Sequence, residues 1–452
     1  MTKIDVNFFK KRNRVRNYLH FDKKRNDSFV CEYVTDVKKI ENHAFLPTIS
    51  YILNDKKINR KKLKKDKITK NDYKDKERLI NFPSHLDGNI YAYYSKILEK
   101  YYEEFLKNEN LGDSVIAFRK ITKINSKGNK YSLCNIHFAK EVFDKISLKK
   151  NCTVLCLDIS GFFDNLDHEI LKKNWCDLFN VDKLPLDHFK VFQSLTEFSY
   201  VEKEEIYKKL NLSLNSKKLH RNLDRLCDIR TFRDKVRKEG LIHVNKSGKG
   251  IPQGSPLSGM LSNIYMMNFD KLYSVMMNKL NGSYFRYCDD MIFVFHDSND
   301  NALNTVLKIF FEIEKMNLKI NHKKTQKIVF KNGIVQKSEP ESFNFPLKLQ
   351  YLGVLYDGNN VFLRETGLSK FHYKLRKAIR MRCAHYRNLE NDNKHNNHDI
   401  YMKTLHDRFT YIGKRNYVSY VYRVAKEFES KNIKKQIKGH FNIFTDYLEK
   451  KK

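Results

Sequence analysis

The sequence predicts a helix-rich α+β protein, and three observations carry that expectation. Glycine and proline are scarce, 16 and 7 among 452 residues, well under ordinary usage of about 7% and 5%. Apolar residues recur at helical spacing, most clearly from Asp87 to Leu106 (DGNIYAYYSKILEKYYEEFL), with no Pro or Gly after Gly88. Short apolar runs of strand length carry acids: residues 153–159 read TVLCLDI, and residues 284–294 read YFRYCDDMIFV with Asp289-Asp290 at a bend. This composition excludes collagen-like repeats, long Gly/Pro linkers and a turn-dense β-sandwich. Apolar residues make up 41%, including 32 Phe and 26 Tyr. At ~100–200 residues per domain, the chain should pack as about two to four units.

Further elements follow in order. Residues 1–70 hold basic clusters (Lys10–Arg14, Lys23–Arg25, Arg60–Lys65) separated by apolar residues, a basic extension on the core. Residues 199–238 carry Lys, Arg and Leu at helical spacing and read as an insertion of helices. A helix opens after a Gly/Pro turn at 256–281, another spans Ala302 to Met316, and Ile328 to Phe330 is strand-like. After Gly367 comes a basic helical tail, interrupted at 391–399 by an Asn/His/Asp-rich stretch.

Lys and Arg number 87 against 53 Asp and Glu, a formal charge of +34. Such an excess repels itself in the compact state, and a polyanion relieves it by counterion release. Nucleic acid is the leading partner. A membrane surface is the weaker one, because no segment approaches ~18 consecutive apolar residues. Met1 to Lys11 lacks a signal-peptide core. The eight cysteines form no CxxC pair and read as ordinary reduced thiols. The expectation is a soluble cytoplasmic protein.

The chemistry sits in the acids. Asp158, in LDISGFFD, follows one apolar run, and Asp289-Asp290, in YCDDMIFV, interrupt another. A carboxylate at the end of a buried strand is penalised by desolvation unless a cation or donor compensates, and adjacent carboxylates also repel. Divalent metal relieves both, and Mg²⁺ suits hard oxygens while leaving positions for phosphates. Two ions about 3.5–4 Å apart serve in-line phosphoryl displacement. Alone, either acidic segment is more often a solvent-exposed turn. Between them lies GIPQGSPLS (Gly250–Ser258), whose glycines permit close backbone approach and whose prolines stiffen the turn. Gln253 is its amide, suited to reading a flat base pair.

In this order, DISGFFD, GIPQGSPLS and YCDD resemble motifs A, B and C of reverse transcriptases. Similarity extends over roughly residues 70–370 through ERLINFP, AFRKITKINSKG, LKINHKKTQK and LQYLG. The resemblance implies a right-hand polymerase fold: fingers at 70–150, a palm with an antiparallel sheet at 151–366 carrying a helical insertion near 185–245, and a helical thumb and RNA-binding region at 367–452, behind the basic extension 1–69. It implies two Mg²⁺ ions, replaceable by Mn²⁺, at Asp158, Ile159, Asp289 and Asp290. Phe163 resembles the aromatic gate that excludes a 2′-hydroxyl, and Gln253 the nucleotide-pocket glutamine. Arg78, with Lys76 or Lys74, is similar to the fingers cations that grip the triphosphate. Lys324, with Lys323 beside it, resembles the lysine that protonates departing pyrophosphate. Tyr287, Cys288, Leu352, Gly353 and Arg119 fall where primer or template is contacted. Lys374, Arg376, Lys377, Arg380 and Arg382 could track a duplex backbone by summed charge. His395, His398 and His406 lack cysteines at zinc-finger spacing and read as a polar stretch.

Val354-Leu355-Tyr356 after the grip turn differs from retron enzymes, and QGSPLS differs from diversity-generating ones. No nuclease or integrase sequence is visible. What remains looks like the bacterial defence-associated reverse transcriptases, most like the type 2 class. That resemblance implies a structured noncoding RNA as template and dNTPs as substrates. Rival readings are a catalytically silent RNA-binding scaffold, a polymerase making untemplated or homopolymeric DNA, and an RNA-dependent RNA polymerase, which Phe163 opposes. Oligomeric state is not readable from the sequence.

Overall fold

The computed structural model describes residues 18–58, 73–124, 128–214, 222–296, 299–336, 347–391 and 402–451. The basic clusters at 10–14 and 60–65, and His395 and His398, lie outside them. Helices α1 (Asp27–Thr35) and α2 (Val37–Glu41) come first, followed by strands β1 (Thr48–Ile58) and β2 (Tyr73–Phe82). Next stand α3 (His85–Asn108), the short hairpin β3 (Thr122–Ile124) and β4 (Lys130–Ser132), and α4 (Asn135–Lys149). Strand β5 (Cys152–Asp158) leads into α5 (His168–Phe179), α6 (Leu186–Thr196), β6 (Ser199–Glu202), α7 (Lys203–Lys209), α8 (Ile229–Phe232) and β7 (His243–Val244). Then come α9 (Ser258–Lys279), β8 (Ser283–Tyr287), β9 (Asp290–His296), α10 (Asn299–Lys315), β10 (Gln326–Lys331) and β11 (Ile334–Val335). A three-stranded meander, β12 (Leu349–Tyr351), β13 (Val354–Tyr356) and β14 (Val361–Leu363), precedes the tail helices. These are α11 (Glu365–Asn391), α12 (Met402–Phe409), α13 (Tyr417–Glu427), α14 (Lys431–Ile437) and α15 (His440–Glu449).

The central sheet has the order β11-β10-β5-β9-β8, with its pairings antiparallel. Its near-continuous apolar strands are explained by cover on both faces. Side chains alternate across a sheet. Leu155, Leu157, Met291, Phe293 and Phe295 therefore join one core with α3, α9 and α10. Val154, Cys156, Ile292, Val294, Ile328 and Phe330 join a second core with α4, the meander and the tail helices. The sheet is thus a wall between two apolar masses. Trp175, on α5, is fully buried in the first, and truncation to Ala there would cost about 3–5 kcal/mol.

The second sheet, β2-β1-β6-β7, redraws two expected boundaries. β1 pairs antiparallel with β2 along its whole length, so an edge at residue 69 cuts through a hairpin. Residues before it are structural as well: Val30, Val34 and Ile40 lie in the first core. The stretch 185–245 is not purely helical, because β6 runs parallel to β1 and β7 pairs with β6. On α11 the expected basic face forms. Leu375, Ile379 and Cys383 are buried at four-residue steps, while Lys374, Arg376, Lys377 and Arg380 are exposed. All eight cysteines are free thiols. Among the described residues, no helix is long and apolar enough to cross a membrane.

Candidate active site

Asp158 ends β5 and Asp290 begins β9, and the two are Cα partners in the antiparallel register. Asp289 belongs to the two-residue turn between Tyr287 and Asp290, which are themselves partners across the β8–β9 hairpin. Acids more than a hundred residues apart in the sequence therefore meet at one end of the sheet. Cys288 sits in the turn with φ +60° and is buried; burial pushes its thiol up from the ordinary range. Ile159 continues β5 as an isolated bridge to Ile320, and its side chain is in the core.

Lys324 lies beside this cluster. Its ammonium donates to both carboxylate oxygens of Asp158, 2.7 Å from Oδ1. Asp158 is 14% exposed and Lys324 44%. Asp290 is exposed, yet surrounding protein and the carboxylates of Asp289 and Asp158 push its pKa up to about 7. That is the signature of carboxylates short of positive charge, which fits a divalent cation bound by Asp158, Asp289 and Asp290. Among the described residues, no group of three or more His, Cys, Asp or Glu stands ready to hold a metal ion. Mg²⁺ needs no such ready group, because it retains water and phosphate ligands.

The loop 250–257 is laced to its surroundings. Gly250 N–H donates to Leu166 O and Ile251 N–H to Phe163 O, at 2.8 and 2.9 Å. Ser258 Oγ donates to Pro252 O at 2.6 Å, closing the loop onto the first turn of α9. Asn81 N–H, on β2, donates to Gln253 O at 2.7 Å. Gly254 has φ +116°, and a Cβ there would stand 2.6 Å from Asn81 O, so the approach of strand to loop requires glycine. The Gln253 side chain donates to Asp164 Oδ1 at 3.3 Å. Burial raises the Asp164 pKa, and the Gln253 bond opposes it.

Of the two adjacent rings, Phe162 is core, 3% exposed, while Phe163 is partly buried at its edge. Phe118, absent from the sequence assignments, stands edge-on to Phe163 with centroids 6.5 Å apart. Its ring lies over Gly259 of α9, where a Cβ would come within 2.8 Å. Phe118 has φ +58° and is half exposed. The only sequence signal for it was an aromatic within AFRK.

Arg78 stands on β2 opposite Leu53, and Lys76 two residues before it opposite Asp55. Leu352 and Gly353 form the β12–β13 turn with φ +43° and +93°, tied to the start of α4 by Asn135 Nδ2 donating to Leu352 O at 3.2 Å. Arg119, expected against template, is engaged within the protein. Its guanidinium grips both carboxylate oxygens of Glu103 at 2.7 Å and donates to the carbonyls of Gly112 and Val115. With its side chain 7% exposed, it braces the 112–119 loop. His406 stacks among Phe441 and Phe444.

Three carboxylates thus meet at one end of the sheet, and the loop 250–257 is bonded to the segment that follows the first of them. The chain belongs to the reverse transcriptase (RNA-dependent DNA polymerase) family, whose model matches residues 63–356. Members are nucleotidyltransferases that depend on divalent metal. No curated protein sequence matches the chain. Among solved structures it is similar to apo telomerase from Candida tropicalis truncated from its C-terminal domain, with 15% identity and a TM-score of 0.42 over 75% of this chain and 60% of that one. It is also similar to telomerase from Candida albicans in complex with a TWJ fragment of telomeric RNA, with 13% identity and a TM-score of 0.39 over 98% of this chain and 72% of that one. The chain thus spans less than two thirds of the first of these relatives.

Proposed function

We propose that this chain copies a structured noncoding RNA into cDNA in the cytoplasm, as part of bacterial antiviral defence. The observation that carries the catalytic half is the pairing of Asp158 with Asp290 and the presence of Asp289 on the adjoining turn. In this reading these three carboxylates, with the backbone at Ile159, hold Mg²⁺. When bound, a pair of such ions activates the attacking hydroxyl and neutralises charge on the leaving oxygen. The protein's own residues do the rest. Arg78 and Lys76 orient the triphosphate, Gln253 supports the nucleotide from the loop, and Phe163 closes the space a 2′-hydroxyl would take. Tyr287 and the Leu352–Gly353 turn seat the primer end. Lys324, already within hydrogen-bond reach of Asp158, delivers a proton from Nζ to departing pyrophosphate. Positioning and charge account for most of the acceleration.

The RNA partner is supported by the family and by the charge of +34; the exposed basic face of α11 suits a duplex backbone read by shape. The defence role and the dedicated template rest on the sequence resemblance. The deciding experiment sequences RNA and DNA that copurify with the parental chain and with an Asp289→Ala/Asp290→Ala variant, with and without phage. One enriched RNA, with complementary DNA only in the parental sample, supports the reading. Random cellular RNA sinks the dedicated template, and a variant that protects as well as the parent makes the chain a scaffold. Ribonucleotide use by the parental enzyme equal to that of Phe163→Ala would reject the gate.

A further inference from the structure

We infer that Arg286 is a positioning residue for the acid turn, held rigid by Asp270 so that its remaining edge fixes the Cys288 carbonyl; this rests on reading Asp289 and Asp290 as metal-holding acids. Arg286 is on β8 and Asp270 on α9, and both side chains are 0% exposed. The guanidinium binds the carboxylate in a fork, Nε to Oδ1 at 2.7 Å and Nη2 to Oδ2 at 2.6 Å. Tyr284 Oη also donates to Asp270 Oδ1, at 2.7 Å. Nη1 then donates to Asn263 Oδ1 and to the carbonyl of Cys288, each at 3.2 Å. The Arg286 backbone is anchored too, with N–H donating to Ser114 O and its carbonyl accepting from Ile116 N–H.

A buried ion pair is weak evidence for stability, because a well-packed apolar pair does as well. What an apolar pair cannot do is donate to Cys288 O. That carbonyl belongs to a buried, non-glycine residue at φ +60°, a conformation L-residues adopt reluctantly, immediately before Asp289. The clamp holds it there and links the turn to α9, the helix that begins at the Gln253 loop. Losing the clamp frees the turn and loosens the spacing of Asp289 and Asp290 from Asp158.

The test replaces both charges together, Arg286→Met/Asp270→Leu, so that neither is left buried alone, and adds Arg286→Lys, which keeps the charge without the fork. Thermal melting reports folding, Mn²⁺ binding by electron paramagnetic resonance reports the acids directly, and primer extension reports incorporation. The expected result is a folded double variant whose Mn²⁺ dissociation constant rises on the order of 10–100-fold, with the dNTP KM little changed. A folded double variant with parental Mn²⁺ affinity overturns the assignment. Should the double variant not fold, Arg286→Lys decides by the same affinity, weakened supporting and parental overturning. Asp289→Ala separates the two readings: if it binds Mn²⁺ and extends primers like the parent, the acids are misread, which is a different failure from a clamp that proves indifferent.

Discussion

Two aspartate–cation pairs, each with one member on the central sheet, solve one electrostatic problem in different ways. Arg286 and Asp270 are sealed from solvent, joined by a two-bond fork and further hydrogen-bonded to Tyr284 and Asn263. Lys324 and Asp158 meet at the rim, with the lysine 44% exposed. In the first pair the charges can separate only by unfolding part of the palm. In the second the ammonium can be exchanged for another cation, since exposed ion pairs contribute little. The difference separates a sealed brace behind the acid turn from an ion pair that solvent reaches.

The largest expected effect breaks the exchangeable side. Asp158→Ala should lower incorporation on the order of 10²–10³-fold or more in primer extension while leaving the melting temperature near the parent's. A large loss of stability would show that Asp158 is structural. Next, Arg286→Met alone, which strands Asp270 in the interior, should cost about 3–5 kcal/mol in denaturant unfolding. Lys324→Met, by contrast, should change unfolding free energy by no more than about 1 kcal/mol; parity between these two variants would erase the distinction drawn above. A further effect concerns a buried base whose charge is not compensated in this way. Burial and the neighbouring His85 lower the His20 pKa to about 3, whereas Asp270 keeps Arg286 charged. The native state binds fewer protons than the unfolded chain between about pH 6.5 and 3, so stability should fall with acidification across that window. His20→Asn should flatten that limb of the pH–stability curve measured by thermal melting.

Much of this molecule was legible in its residues, for local reasons. The long helix read at Asp87–Leu106 is α3 (His85–Asn108), and the strand–turn–strand at 284–294 is the β8–β9 hairpin. Both are governed by short-range periodicity. The acids were legible because a charged group closing an apolar strand is conspicuous. What could not be read were the pairings across long separations. β1 against β6 joins residues about 150 apart, and nothing in a run of Lys, Arg and Leu announces a strand within it. Arg119 and Arg286 show the same limit: a guanidinium reads as a nucleic-acid contact or a surface charge until its partner is known. Glu103 and Asp270 supply those partners, one across a loop and the other from a neighbouring helix.

The bond from Asn81 N–H to the Gln253 carbonyl, with Gly254 pressed against the same strand, has a mechanical consequence. The β-ribbon bearing Arg78 and the loop bearing Gln253 are stitched backbone to backbone. Any swing of the ribbon at Asn81 therefore drags the Gln253 loop with it.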